Sequence, residues 1–173
     1  MNFAIFYLTA TIATLSTAMV IFNRNAVHAL LYLIVSLLSV AVIFYQYGAP
    51  FAAALEVIVY AGAIMVLMVF VIMMLNQGEA AVAQESRWLQ PRSWIGPAIL
   101  SAVLLVQLIW LLGGDGGEGS PNSVGPKEVG IALFSRYILA VELASMLLLA
   151  GLVGAFHLAR QRKTDGGEVE HAD

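Results

Sequence analysis

The sequence predicts an all-α integral membrane protein of five transmembrane helices. Two observations carry this reading. Of 173 residues, 61% are hydrophobic and 11% charged, with a mean hydropathy of +0.88, and the apolar residues gather into five long runs. Such a composition belongs to membrane proteins rather than globular domains. A bilayer's hydrocarbon core is about 30 Å thick and a helix rises about 1.5 Å per residue, so roughly 20 apolar residues cross it. Continuous apolarity argues for helices, because barrel strands would alternate at every second position.

The runs cover residues 2–22, 27–47, 51–75, 94–112 and 137–158. The first has no basic residue ahead of it and is evenly apolar, so it is expected to stay in the mature chain rather than to be cleaved as a signal peptide. The links at Arg24 and at 47–50 are short, which makes the first three helices consecutive antiparallel neighbours. The loop QGEAAVAQESRWLQPRS (77–93) is mixed in charge and carries Trp88, and Trp94 beyond it suits an aromatic belt at the membrane interface. Residues 113–136 begin GGDGGEGSPNSVGPKEVG, a composition that resists regular structure, and are expected to form a flexible outer loop. The polar tail 164–173 is expected to take no fixed structure unless a partner holds it. With no internal repeat, residues 1–173 read as a single membrane domain.

Orientation follows from the basic residues, since short loops rich in Lys and Arg stay on the cytoplasmic side. Placing the N-terminus outside and the C-terminus in the cytoplasm puts Arg24, Arg87, Arg92, Arg160, Arg162 and Lys163 inside, and only Lys127 and Arg136 outside. The net charge of -3 does not bear on this, because acidic residues contribute little to the rule. The absence of cysteine excludes disulfides, iron–sulfur ligation and thiolate chemistry, so electron transfer by this chain alone is not expected.

The third run, FAAALEVIVYAGAIMVLMVFVIMMLN, holds a carboxylate inside an apolar span. A charge at such depth costs a few kcal/mol and should face protein or water. Tyr60 lies four residues after Glu56, on the same face of a regular helix, so Glu56, Tyr60, Ala63 and Leu67 define one stripe. A carboxyl and a phenol on one stripe can carry protons; the alternative is that Glu56 serves as hydrogen-bonded packing glue. Small side chains at Ala61, Gly62 and Ala63 permit close approach of a neighbouring helix, and the same site could host a π-bulge, a local i to i+5 hydrogen-bond pattern. Met65, Met68, Met73 and Met74 follow, suited either to plain core packing or to a surface that repacks. Glu142 is a second intramembrane acid, with Ser145 three residues on. His28 and His157 invite the thought of a bis-histidine haem, but both fall near helix ends, where imidazoles meet water or head groups. No metal site and no nucleic-acid partner are expected.

The string LEVIVYAGAIMVLMVFVIMMLN closely resembles the third helix of the subunit J family of proton-pumping NADH:quinone oxidoreductase, respiratory complex I, whose mitochondrial counterpart is NADH dehydrogenase subunit 6. NRNAVHALLYLI and VELASMLLLAGLVGA extend the resemblance over nearly the whole chain. It implies a membrane-arm subunit that couples quinone reduction to proton pumping and has no catalytic centre of its own. NADH, FMN, iron–sulfur clusters and quinone would belong to other parts of the complex. Implied partners are the lipid bilayer and other membrane subunits, especially K, A and H and the antiporter-like subunits. The implied location is the bacterial plasma membrane rather than the mitochondrial inner membrane. The resemblance further implies a third helix that switches between π and α forms over Tyr60, Ala61, Gly62, Ala63, Ile64, Met65 and Val66. Glu56 and Tyr60 would stand beside a water path, with Glu142 as a further proton-path candidate. A purely structural assembly subunit and a small independent transporter are the alternatives.

Overall fold

The computed structural model describes residues 3–23, 25–75, 91–113 and 123–161; Arg24, the loop carrying Arg87 and Trp88, the stretch 114–122 and the tail with Arg162 and Lys163 lie outside the described residues. Every described element is helical: α1 (Phe3–Phe22), α2 (Ala26–Gln46), α3 (Pro50–Leu75), α4 (Pro91–Gly113), α5 (Pro126–Ser135) and α6 (Ile138–Gln161). Five of them, all but α5, are long and apolar enough to cross a membrane. The chain divides into two compact units, Met1–Gly125 with α1 to α4 and Pro126–Asp173 with α5 and α6.

In the first unit α2 is the central helix, packed against α1, α3 and α4, while α4 also meets α1. Of the second span, 39% is buried inside the chain, against 6% of the third, so α2 supplies the core and α3 the periphery. Lipid is as apolar as leucine, so helices in a bilayer associate through close packing and hydrogen bonds rather than a hydrophobic drive. The interior reflects this, for the largest side chains with essentially no exposure are hydroxyls, Thr9, Ser16 and Ser39. Thr9, Thr11, Thr14 and Thr17 each donate to the carbonyl four residues back, at 2.7 to 2.9 Å, which satisfies their hydroxyls within α1. Thr17 Oγ1 also lies 2.7 Å from Ser36 Oγ, joining α1 to α2.

The ends of α2 follow from local chemistry. Asn25 caps the start, its side chain accepting from the Val27 N–H at 3.0 Å. At the other end Gly48 takes a φ of 76°, which only glycine adopts freely. The Gly48 N–H donates to Tyr45 O and the Ala49 N–H to Phe44 O, both at 3.0 Å, completing a Schellman closure. Pro50 then opens α3 at a first-turn position where its missing N–H costs nothing. α4 meets α2 closely at Gly96, where a Cβ would overlap the Tyr32 hydroxyl.

In the second unit, α5 departs from the expectation that 113–136 is loop throughout. Pro126 at its start and Glu128 in its first turn suit a helix N-terminus, and the following IALF is apolar. The Gly-rich residues ahead of Pro126 hid that signal in the sequence.

Candidate functional site

α3 is not one regular helix. Pro50–Leu55 and Met65–Leu75 are α-helical, and between them Glu56–Ile64 forms a π-helix of nine residues. The Glu56 N–H still reaches back to Ala52 O and Ala53 O, whereas the Met65 N–H reaches Tyr60 O, five residues back, as well as Gly62 O. The irregular register therefore starts at the acid, four residues before the Tyr60–Val66 window expected from the sequence, and ends two residues before it. Tyr60, Ala61, Gly62, Ala63 and Ile64 lie in both, while Met65 and Val66 are already α-helical.

Gly62 is explained by its own helix rather than by a neighbour. A Cβ placed there would stand 3.1 Å from the carbonyl oxygen of Val57, the residue five positions back, and would meet no described atom of another helix within 4 Å. The wide π turn brings that carbonyl under residue 62, a contact tight enough that a side chain there would make it shift by a few tenths of an ångström.

The π register also changes which side chains share a face. A regular helix would align Glu56 with Tyr60, Ala63 and Leu67. Instead Glu56, Ala61 and Gly62 are half-buried and Met65 is buried, while Tyr60 is 51% exposed and Ala63 and Leu67 are exposed. The added residue per turn moves the next inward position from Tyr60 to Ala61. Among the described residues the Glu56 carboxylate has no hydrogen-bond partner, and no hydrogen bond joins it to Tyr60. The arrangement can present a carboxyl at the rim of the packed face and a phenol outside it.

A groove of about 500 Å³ runs beside the first half of α3. Ala53, Ala54 and Val57 form one wall, with α2 and α4 supplying Tyr45, Ser101 and Leu104 opposite.

Glu142 belongs to the second unit, in the second turn of α6. The Ser145 hydroxyl, expected to share its face, donates to the Glu142 backbone carbonyl at 2.8 Å. His28 and His157 fall in different units. His28 is buried, meets Trp94 edge-on with ring centroids 6.3 Å apart, and its Nε2 has no hydrogen-bond partner.

One polar cluster escaped the sequence reading. Gln46 Nε2 donates to Thr9 Oγ1 at 3.1 Å, and Gln107 Nε2 donates to Thr9 Oγ1 and, at 2.9 Å, to Ile5 O. It joins α1, α2 and α4 inside the span. The available signal was a neutral amide in the middle of an apolar run, as at Gln107 in LLVQLIW.

Known proteins resemble the chain along most of its length. The family described as NADH-ubiquinone/plastoquinone oxidoreductase chain 6 matches residues 16–158. NADH-quinone oxidoreductase subunit J of Escherichia coli (strain K12) is 58% identical over 172 residues, covering 98% of this chain and 91% of that protein. The subunit J of Pseudomonas aeruginosa is 58% identical over 163 residues, covering 93% and 98%. That of Buchnera aphidicola subsp. Schizaphis graminum is 49% identical over 160 residues, covering 92% and 98%.

Proposed function

The chain belongs to the NADH-ubiquinone/plastoquinone oxidoreductase chain 6 family, and from that premise we propose that it is a membrane subunit of proton-translocating NADH:quinone oxidoreductase whose third helix couples quinone reduction to proton movement. The observation that supports the coupling role is the π segment Glu56–Ile64, bounded by α-helix on both sides and starting at an intramembrane acid. A π turn holds one residue more than an α turn, so its loss rotates one flank against the other by about 100°, the angle per residue of an α-helix. That rotation carries the side chains beyond it to new faces, and a water path beside Glu56 opens or breaks with it. Two forms close in free energy are enough for a distant reaction to bias.

The rest of the complex supplies what this chain lacks. NADH, FMN, iron–sulfur clusters and quinone are held by other subunits, and the exposed face of α3 is where neighbours such as subunits K, A and H pack. The bias of basic residues supports an N-terminus outside and a C-terminus in the cytoplasm, and the bacterial relatives support the plasma membrane as the location. Glu142 is carried forward as a second proton-path candidate on the strength of its charge alone.

The test is a pair of maps of the assembled enzyme, resting and in turnover. Two registers of Glu56–Ile64, with water continuous beside Glu56 in one of them, are the expected result. A single register in both states reduces the chain to an assembly subunit. Gly62→Ala supplies the functional arm. The alanine Cβ would stand 3.1 Å from Val57 O in the π form, a contact tight enough to disfavour that register. Proton translocation per NADH should fall in assembled Gly62→Ala enzyme and fall further in Gly62→Val; unchanged stoichiometry in both variants contradicts the switch.

A further inference from the structure

We propose that α5 is an interfacial helix that lies along the membrane surface with one face in the boundary between lipid head groups and acyl chains. Its place in the chain sets its depth. Val124 N–H donates to Gly48 O at 2.9 Å, which ties the chain to the corner between the spans α2 and α3 just before Pro126 opens α5. At the other end Ser135 closes α5 and Ile138 opens the last span. The turn between them is tight, for the N–H groups of Arg136 and Tyr137 both reach Ala132 O at 3.1 Å. Ten residues of helix extend about 15 Å, half the hydrocarbon core, so α5 does not cross. The 24 residues of α6 extend about 36 Å and need most of that length to span. Both ends of α5 therefore stay at the membrane face that carries the α2–α3 corner.

The side chains sort as a helix in that position requires. At about 100° per residue, Val129, Gly130, Leu133 and Phe134 share one arc, and Glu128 and Ser135 lie together on the opposite side. Lys127 borders the apolar arc on the edge next to Phe134. Arg136, whose N–H keeps the helical bond to Ala132 O, borders it on the edge next to Val129. Ile131 alone departs from this division. Within its own unit the arc is only partly covered: Val129 and Gly130 are half-buried, while Phe134 is 72% exposed and Leu133 39%.

Depth and pattern together select lipid as the occupant of the arc. A helix held at the membrane face has head groups along both of its flanks, and their phosphates meet Lys127 and Arg136 at once. The long basic side chains lay their stems along the apolar surface and raise their charges to the phosphate level. The acid Glu128 then faces water, away from the anionic surface, while Phe134 and Leu133 sink toward the acyl chains. A protein groove would match the same pattern only if it carried acids along both rims. The proposal is independent of the register of α3 and stands or falls separately from the coupling role.

The experiment uses the assembled complex in vesicles of phosphatidylethanolamine and phosphatidylglycerol, opened so that a hydrophilic maleimide reaches both faces. The chain has no cysteine of its own, so label on its gel band reports only an introduced one, Phe134→Cys or Ser135→Cys. Against the denatured chain as reference, Ser135→Cys should label freely and Phe134→Cys several-fold more slowly. Equal, fast labelling at both positions puts the helix in water and overturns the proposal; slow labelling at both buries the whole helix in protein and overturns it too. Phe134→Cys carrying a benzophenone then identifies what covers it on illumination. A lipid adduct on the chain is expected, and a cross-link to another subunit overturns the reading. Should Phe134→Cys fail to assemble, Leu133→Cys gives the same two readouts.

Discussion

Glu56 and Thr9 are both polar groups in apolar surroundings, yet they work differently. Glu56 is half-buried with no hydrogen-bond partner among the described residues, so its carboxyl has nothing to hold in place. If it relays protons, Glu56→Gln should leave assembly intact and lower proton translocation per NADH several-fold; a glutamine that pumps normally would make the residue packing glue. Thr9, in contrast, is a hub. Thr9→Val removes one acceptor from two amide donors, and should destabilise the subunit by about 1 to 3 kcal/mol, the penalty for orphaned buried groups. Thermal unfolding of the assembled complex would register this, and Thr9→Val combined with Gln107→Leu should cost less than the sum of the two. The acid was legible in the sequence because a charge in an apolar run stands out by itself. The hub was not, since Thr9 is one of four α1 threonines and Gln107, its partner, lies 98 positions away. Only the fold brings them together.

The number of spans and their helical nature were legible in the sequence, because the bilayer dictates their length. The five spans begin and end within three residues of the runs of apolar residues, because the same thickness sets both. Register within a helix is a different matter. Periodicity counted at 3.6 residues per turn put Glu56 and Tyr60 on one face, and the π segment removes that alignment. Gly62 hinted at the irregularity, but the residues alone favoured a packing notch against another helix. Such a notch exists elsewhere, at Gly96 of α4, where Tyr32 of α2 fills the space of a Cβ. Gly96→Ala should therefore overpack this contact and cost about 1 to 3 kcal/mol, read as a lower unfolding temperature of the assembled complex. Tyr32→Phe removes the clashing oxygen and should restore part of the loss. No recovery in the double variant would mean that α4 shifts as a body rather than yielding at Tyr32. α5 was missed for a third reason: ten residues with modest apolarity beside a Gly-rich stretch carry too weak a pattern to be distinguished from loop.

For the first unit as a whole, burial separates a fixed part from an open one. α2 and the hydroxyl contacts to α1 make a tied core, with the Thr9 cluster adding α4, whereas α3 exposes most of its apolar surface. The chain produced without its partners should accordingly aggregate or be degraded, with α3 cut or labelled first, and co-production of the neighbouring subunits should protect it; a stable, monomeric chain in mild detergent would contradict this. The corner between α2 and α3 then acquires a mechanical meaning. Gly48 and Ala49 lock it by paired backbone hydrogen bonds, and Val124 N–H adds a third to Gly48 O at 2.9 Å. A screw clamped at its head can turn only at its tip. On the proposed switch, torque released by a change of thread in Glu56–Ile64 would be delivered toward Leu75, and the methionines at 68, 73 and 74 would sweep across whatever surface they touch.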